Sequence, residues 1–173
     1  MNDELPTRCS DFDFWIGDWE VHLSDTGELI GHNVIEPSQR GHVLVEHYST
    51  VNEQFSGMSL NGYDHVAGRW HQCWMDVTGL VLDLYGNCVD GAMVMSGVVE
   101  PGRLERITWT PNADGSVRQH WQQSTDDGAT WATTFNGIYR RVPSRRSVKS
   151  PRSGAALVVA DVGTDAQRSP RHG

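Results

Sequence analysis

The chain of 173 residues has a single lysine, only three cysteines, and no run of apolar residues long enough to span a membrane. Each shortage excludes something. Cys9, Cys73 and Cys88 are an odd number without close spacing. That argues against a disulfide framework and suits a reducing compartment. A membrane helix needs about 20 consecutive apolar residues, so no helical span is expected. The stretch from Met1 to Arg8 carries acidic residues and no apolar core, so it does not read as a signal peptide, and a cytoplasmic location is expected. Basic charge is scarce in the body: residues 1–141 hold 8 arginines against 20 Asp and Glu, a net of −12. Phosphate neutralisation needs a basic surface, so nucleic acid is not an expected partner.

Several chemical signatures are missing too. No Gly-x-Ser-x-Gly occurs, and Ser56-Gly57-Met58-Ser59 lacks the strand-to-helix setting of a nucleophile elbow. No Gly-rich phosphate loop opens a helix. His71 and Cys73 lie two apart on one strand face, but no Cys or His pair has zinc spacing. No metal and no cofactor are therefore expected.

What is present is tryptophan, seven in all, and turn signals at short intervals. The segment from Phe12 to Val21 holds two of the tryptophans. Its apolar side chains fall at Phe12, Trp15, Ile16 and Trp19, the spacing of a short helix with one buried face, with Ser10 and Asp11 as candidate caps. Gly17 can end that turn. Beyond it, Trp19, Val21 and Leu23 alternate with polar residues, as in a strand. The segment reads as a helical plug leading into the first strand of a barrel; a plain aromatic core segment is the alternative.

Asp25-Thr26-Gly27, Asp90-Gly91, Asn112 to Gly115 and Asp126-Asp127-Gly128 are hairpin signals, and Asp64 to Gly68 is another turn. Ten candidate strands lie between such breaks, roughly 18–24, 29–36, 42–50, 56–63, 69–77, 80–86, 92–99, 104–110, 116–124 and 130–141. Sequential strands with short links make an antiparallel meander, and closing it removes the exposed edges. The expected fold is all-β: an up-and-down β-barrel of about ten strands with a short N-terminal helix, wide enough for a small ligand. A two-sheet sandwich is the alternative. Residues 1–10 read as a flexible N-terminus and 11–141 as the barrel. Residues 142–173, rich in Ser, Arg, Pro and Gly, read as a disordered basic tail.

Two strands carry the candidate site. In Arg69 to Val77, Trp70, Gln72, Trp74 and Asp76 share one face; His71, Cys73, Met75 and Val77 share the other. Aromatic rings beside an amide suit a pocket, so the tryptophan face is expected inward. In Ser116 to Ser124, Val117, Gln119, Trp121 and Gln123 share a face, opposite Arg118, His120 and Gln122. Gln72, Trp74, Gln119 and Trp121 are thus the leading ligand-binding candidates. Glu46 joins them if it faces in with Leu44 and Tyr48; if Val43 and Val45 face in, it does not. Asn61 is a further candidate, with Tyr63 beside it.

The motifs Phe12 to Trp19, Ser59 to Asp64, Gly68 to Asp76, Arg106 to Pro111 and Gly128 to Trp131 resemble those of bacterial proteins grouped as domain of unknown function 1579. Gly17-Asp18-Trp19 is similar to the Gly-x-Trp signature of lipocalin-like (calycin) barrels. The resemblance covers about residues 11–141. It implies a lipocalin-like barrel but no settled activity. The related nitrobindins bind haem through a strand histidine, and His120 would be its counterpart, although no motif around it matches and it reads as outward. The functional expectation is a barrel binding a small hydrophobic molecule. An isomerase or cyclase in the same cavity, using Glu46 or Asp76 as acid or base, is the enzymatic alternative, and haem binding is a third reading. A homodimer through an outer sheet face is compatible with the pattern, which does not demand it.

Overall fold

The computed structural model describes residues 6–142. The first five residues of the expected flexible N-terminus, and all but the first residue of the expected basic tail, lie outside the described residues.

Ten strands follow one another in chain order: β1 Gly17–Leu23, β2 Leu29–Ser38, β3 Val43–Thr50, β4 Ser56–Asp64, β5 Arg69–Asp76, β6 Val81–Val89, β7 Ala92–Glu100, β8 Arg103–Pro111, β9 Val117–Ser124 and β10 Ala132–Arg141. Each matches one expected strand, with β6 running three residues further. Every strand pairs antiparallel with its sequence neighbours, and β1 pairs with β10, Val21 opposite Tyr139, to close the barrel. Closure leaves no sheet edge unpaired, the constraint that made a barrel the expected solution. The β6–β7 hairpin shows how local chemistry sets register. Asp90 and Gly91 are its two loop residues, with φ of 52° and 81°, the left-handed pair that such a tight turn requires.

The inner face follows the period of two. On β5, Trp70, Gln72 and Trp74 are buried. Continuing round the barrel from β5, Leu82 and Leu84 on β6, Met93 and Met95 on β7, and Ile107 and Trp109 on β8 are buried on the inner face. Outside, Met58, Leu60, Met75 and Val81 stand exposed on neighbouring strands β4, β5 and β6, with Met58 directly opposite Met75.

The expected N-terminal helix is not there. Only a single 3-10 turn forms, Asp13–Trp15, and neither Ser10 nor Asp11 caps it with a side chain. Phe12 and Trp15 are three apart, which a 3-10 turn places on one face as well as an α-helix does. Ile16 is already extended, at φ −61° and ψ 129°, and Gly17 lies at φ +148°. So few residues cannot offset the cost of nucleating an α-helix. Trp19 is buried as a strand residue; its place in the helical spacing is coincidental.

The plug itself is present. Phe12 stacks on Trp15 at 4.8 Å and meets Trp109 at 5.2 Å and Trp70 at 5.7 Å. The Trp19 indole donates to the Trp15 carbonyl at 2.9 Å. Arg141, at the end of β10, lies 4.3 Å above the Trp19 ring and donates to the Ile16 carbonyl at 2.8 Å. Arg8 donates to the Gly41 carbonyl at 2.6 Å and pairs with Asp13, holding the approach to the turn. The described chain contains no helix long and apolar enough to cross a membrane.

Trp19 thus joins the plug to both ends of the sheet. Replacing it with alanine should lower unfolding free energy by about 3–5 kcal/mol, the usual cost of emptying a buried aromatic site. Urea unfolding monitored by circular dichroism checks this; a midpoint equal to the parent's would mean the plug does not support the barrel.

Candidate functional site

Above the aromatic floor the barrel encloses a cavity of about 190 Å³. Its walls differ. On β8 the lining is apolar, made by Ile107 and Trp109. On β2 to β5 the buried residues include Asn33, Glu46, Ser59, Asn61 and Gln72. Trp74, Trp121, Tyr48, Phe55 and Phe135 complete the lining toward the end away from the plug. Tyr48 and Phe55 meet edge to face at 6.1 Å.

The polar wall is one connected chain. Asn33 donates to Glu46 Oε1 at 2.7 Å, and the Ser59 hydroxyl donates to Oε2 at 2.6 Å. Asn61 donates to the Ser59 oxygen at 2.9 Å and to the Leu44 carbonyl at 3.2 Å. Gln72 donates to the Asn61 oxygen at 2.8 Å. These bonds follow from strand register: Glu46 sits opposite Ser59, and Asn61 opposite Gln72, on neighbouring strands. Facing them, Tyr139 on β10 donates to Gln119 Oε1 on β9.

Glu46 is the most unusual group. It is 4% exposed, and no basic residue lies among the cavity-lining side chains. Burial disfavours its charged form and pushes its pKa up to about 7, against the opposing hydrogen bonds from Ser59 and Asn33. Burial also raises Tyr48, with the nearby Glu46 charge adding to it, and raises Tyr139 strongly for the same reasons. Asp76 behaves in the opposite way. Burial pushes it up, but hydrogen bonds from Thr78, the Trp74 indole and the Leu80 amide outweigh that and hold it low.

Five of the six candidate ligand-binding residues line this cavity: Gln72, Trp74, Gln119, Trp121 and Glu46. Asn61 is fully buried but stands behind Gln72 as its hydrogen-bond acceptor. Tyr63 does not line the cavity and meets Trp70 at 6.0 Å instead. His120 is on the outer side, 2.9 Å from the Thr133 hydroxyl, and no histidine lines the cavity. Among the described residues no group of three or more His, Cys, Asp or Glu is placed to hold a metal ion.

Sequence reasoning passed over Tyr139, Trp109 and Glu105. Glu105 is buried, accepting from the Trp121 indole at 2.6 Å and from Gln123 at 2.8 Å, with Arg103 at 3.3 Å. The signal was available, because Glu105 alternates in phase with Ile107 and Trp109. The Trp109 indole N–H is buried without a protein partner, a feature no sequence pattern carries.

The Glu46 pKa has a thermodynamic consequence. Its folded value of about 7 lies above the ordinary 4.5, so between those limits the folded state holds the proton more tightly. Stability from this group is greatest below about pH 4.5 and declines as pH rises through about 7, by roughly 3 kcal/mol in total. In a Glu46→Gln variant this decline should vanish. Urea unfolding of parent and variant across that range reads it out; parallel stability profiles would show that Glu46 titrates normally.

No protein-family model matches this chain, and no curated protein matches it in sequence either.

Proposed function

We propose that this protein binds a small, largely apolar molecule inside the barrel. The observation supporting this is the cavity of about 190 Å³ whose aromatic and aliphatic lining is interrupted by Glu46, Gln72 and Gln119. Sites for drug-sized ligands run to about 300–1,000 Å³, so the fitting occupant is the size of a single ring. Aliphatic and ring surfaces would supply the burial energy, and the polar wall would orient one edge of the ligand. The closed barrel and Gly17-Asp18-Trp19 at the plug-to-strand junction support a lipocalin-like reading, in keeping with the resemblance to domain of unknown function 1579.

A proton-transfer enzyme on the same cavity is the second reading, favoured by Glu46 alone. A buried carboxyl tuned to about 7 can accept or return a proton near neutral pH. Asp76, held low at the rim, lacks that property. For any molecule the protein turns over, Glu46→Gln should abolish turnover while retaining binding.

Indole and 2-phenylethanol are suitable neutral probes. A probe at a hundredfold excess over its dissociation constant should stabilise the fold by about 2.7 kcal/mol, seen as a rise of several degrees in Tm. Ile107→Trp, which fills the cavity, should remove that rise and cost about 1–3 kcal/mol of stability. Probes that stabilise parent and Ile107→Trp equally would place binding elsewhere.

A further inference from the structure

The cavity has a sign as well as a shape. No lysine, arginine or histidine lines it, while Glu46 opens onto it without a cationic partner. Two of its indole rings are tethered from behind by carboxylates. Trp74 donates its N–H to Asp76 at 3.2 Å, and Trp121 donates its N–H to Glu105 at 2.6 Å. An indole giving its N–H to an anion gains electron density on its face, and an indole face is the best aromatic partner for a cation. Glu105 shares its charge with Arg103 at 3.3 Å, so that tether is partly neutralised; Asp76 is held only by Trp74, Thr78 and main-chain donors. A low-dielectric chamber focuses the field of such groups onto its interior.

We propose that the preferred occupant is a small organic amine carried as its ammonium cation, with the positive charge against Glu46 and the indole faces and the apolar body against Ile107 and the ring surfaces of the lining. This inference rests on the cavity being a binding site and adds the chemical class of its ligand. Glu46 is the specificity-determining residue in this arrangement. An isolated buried carboxylate is costly, and a bound cation supplies the missing partner. The indole faces would hold the same charge from the other side, and aliphatic burial would account for the remaining affinity. A neutral isostere gains only that last part, and an anion meets repulsion from Glu46.

Three probes of one size separate these cases: 2-phenylethylamine, 2-phenylethanol and phenylacetate. Titration calorimetry on the full chain at about pH 8, where Glu46 is mostly ionised and the amine is protonated, should give the amine at least about tenfold tighter binding than the alcohol, with no detectable heat from phenylacetate. Glu46→Gln should erase the preference for amine over alcohol. The comparison within the parent protein does not depend on any variant folding. Alcohol binding as tight as amine binding overturns the cation inference and leaves the cavity reading intact. Binding of indole without binding of the amine does the same. No binding by any of these probes removes both readings.

Discussion

The contact on which the rest depends is the stack of Phe12 on Trp15, set against Trp70 and Trp109. A ten-stranded barrel is a tube, and its interior is wider than its own side chains need. Stopping one end with four large rings turns the tube into a cup. Trp19 then ties the stopper to β1, and Arg141 ties it to β10, the two strands whose pairing closes the sheet. Barrel closure and end closure therefore share the same contacts. Trp109 belongs to both the plug cluster and the cavity lining, so the plug sets how far down a ligand can reach.

Given that cup, the polar wall must satisfy itself. Asn33, Ser59, Asn61 and Gln72 form one chain of hydrogen bonds ending on Glu46. In a low-dielectric interior each of these groups would be costly alone, and the register of β2 to β5 is what lets each reach the next. The chain also fixes the Glu46 rotamer from both oxygens. A carboxyl held this way can change its charge without changing its position, which suits either gripping a ligand or exchanging a proton with it.

The fold was largely legible because the period of two is a strong signal when every strand has one buried face. Alternation grouped Gln72 with Trp74, and Gln119 with Trp121, and the pairing of rings with amides chose those faces as the inward ones. Glu46 was undecided because Val43 and Val45 offer an equally apolar face; the burial of Leu44 and Glu46, with Val43 and Val45 only half-buried, resolves it. The helix was misread because Phe12, Trp15, Ile16 and Trp19 follow a helical spacing across two different structures. Tyr139 and Glu105 were legible in phase but lacked a reason to be singled out until their partners Gln119 and Trp121 were in place. Local pattern gives orientation, while partnership between neighbouring strands comes only from their register.

Glu46 is also the point at which the sequence departs from the cheapest way to build this barrel. Isosteric glutamine would avoid the ionisation penalty, and leucine would extend the apolar lining at less desolvation cost. Asn33 and Ser59 do not remove that penalty, since the pKa stays near 7 despite both bonds. A group that weakens the fold near neutral pH and lines a largely apolar chamber has no rationale in the fold around it, and it is at such positions that functional groups are sought. The same logic separates Glu46 from Asp76 and Glu105. Those two carboxylates are each bound by several donors at the rim, and each braces an indole. Of these three carboxylates Glu46 alone lines the cavity, so it is the one at which the chemistry of a bound molecule would be decided.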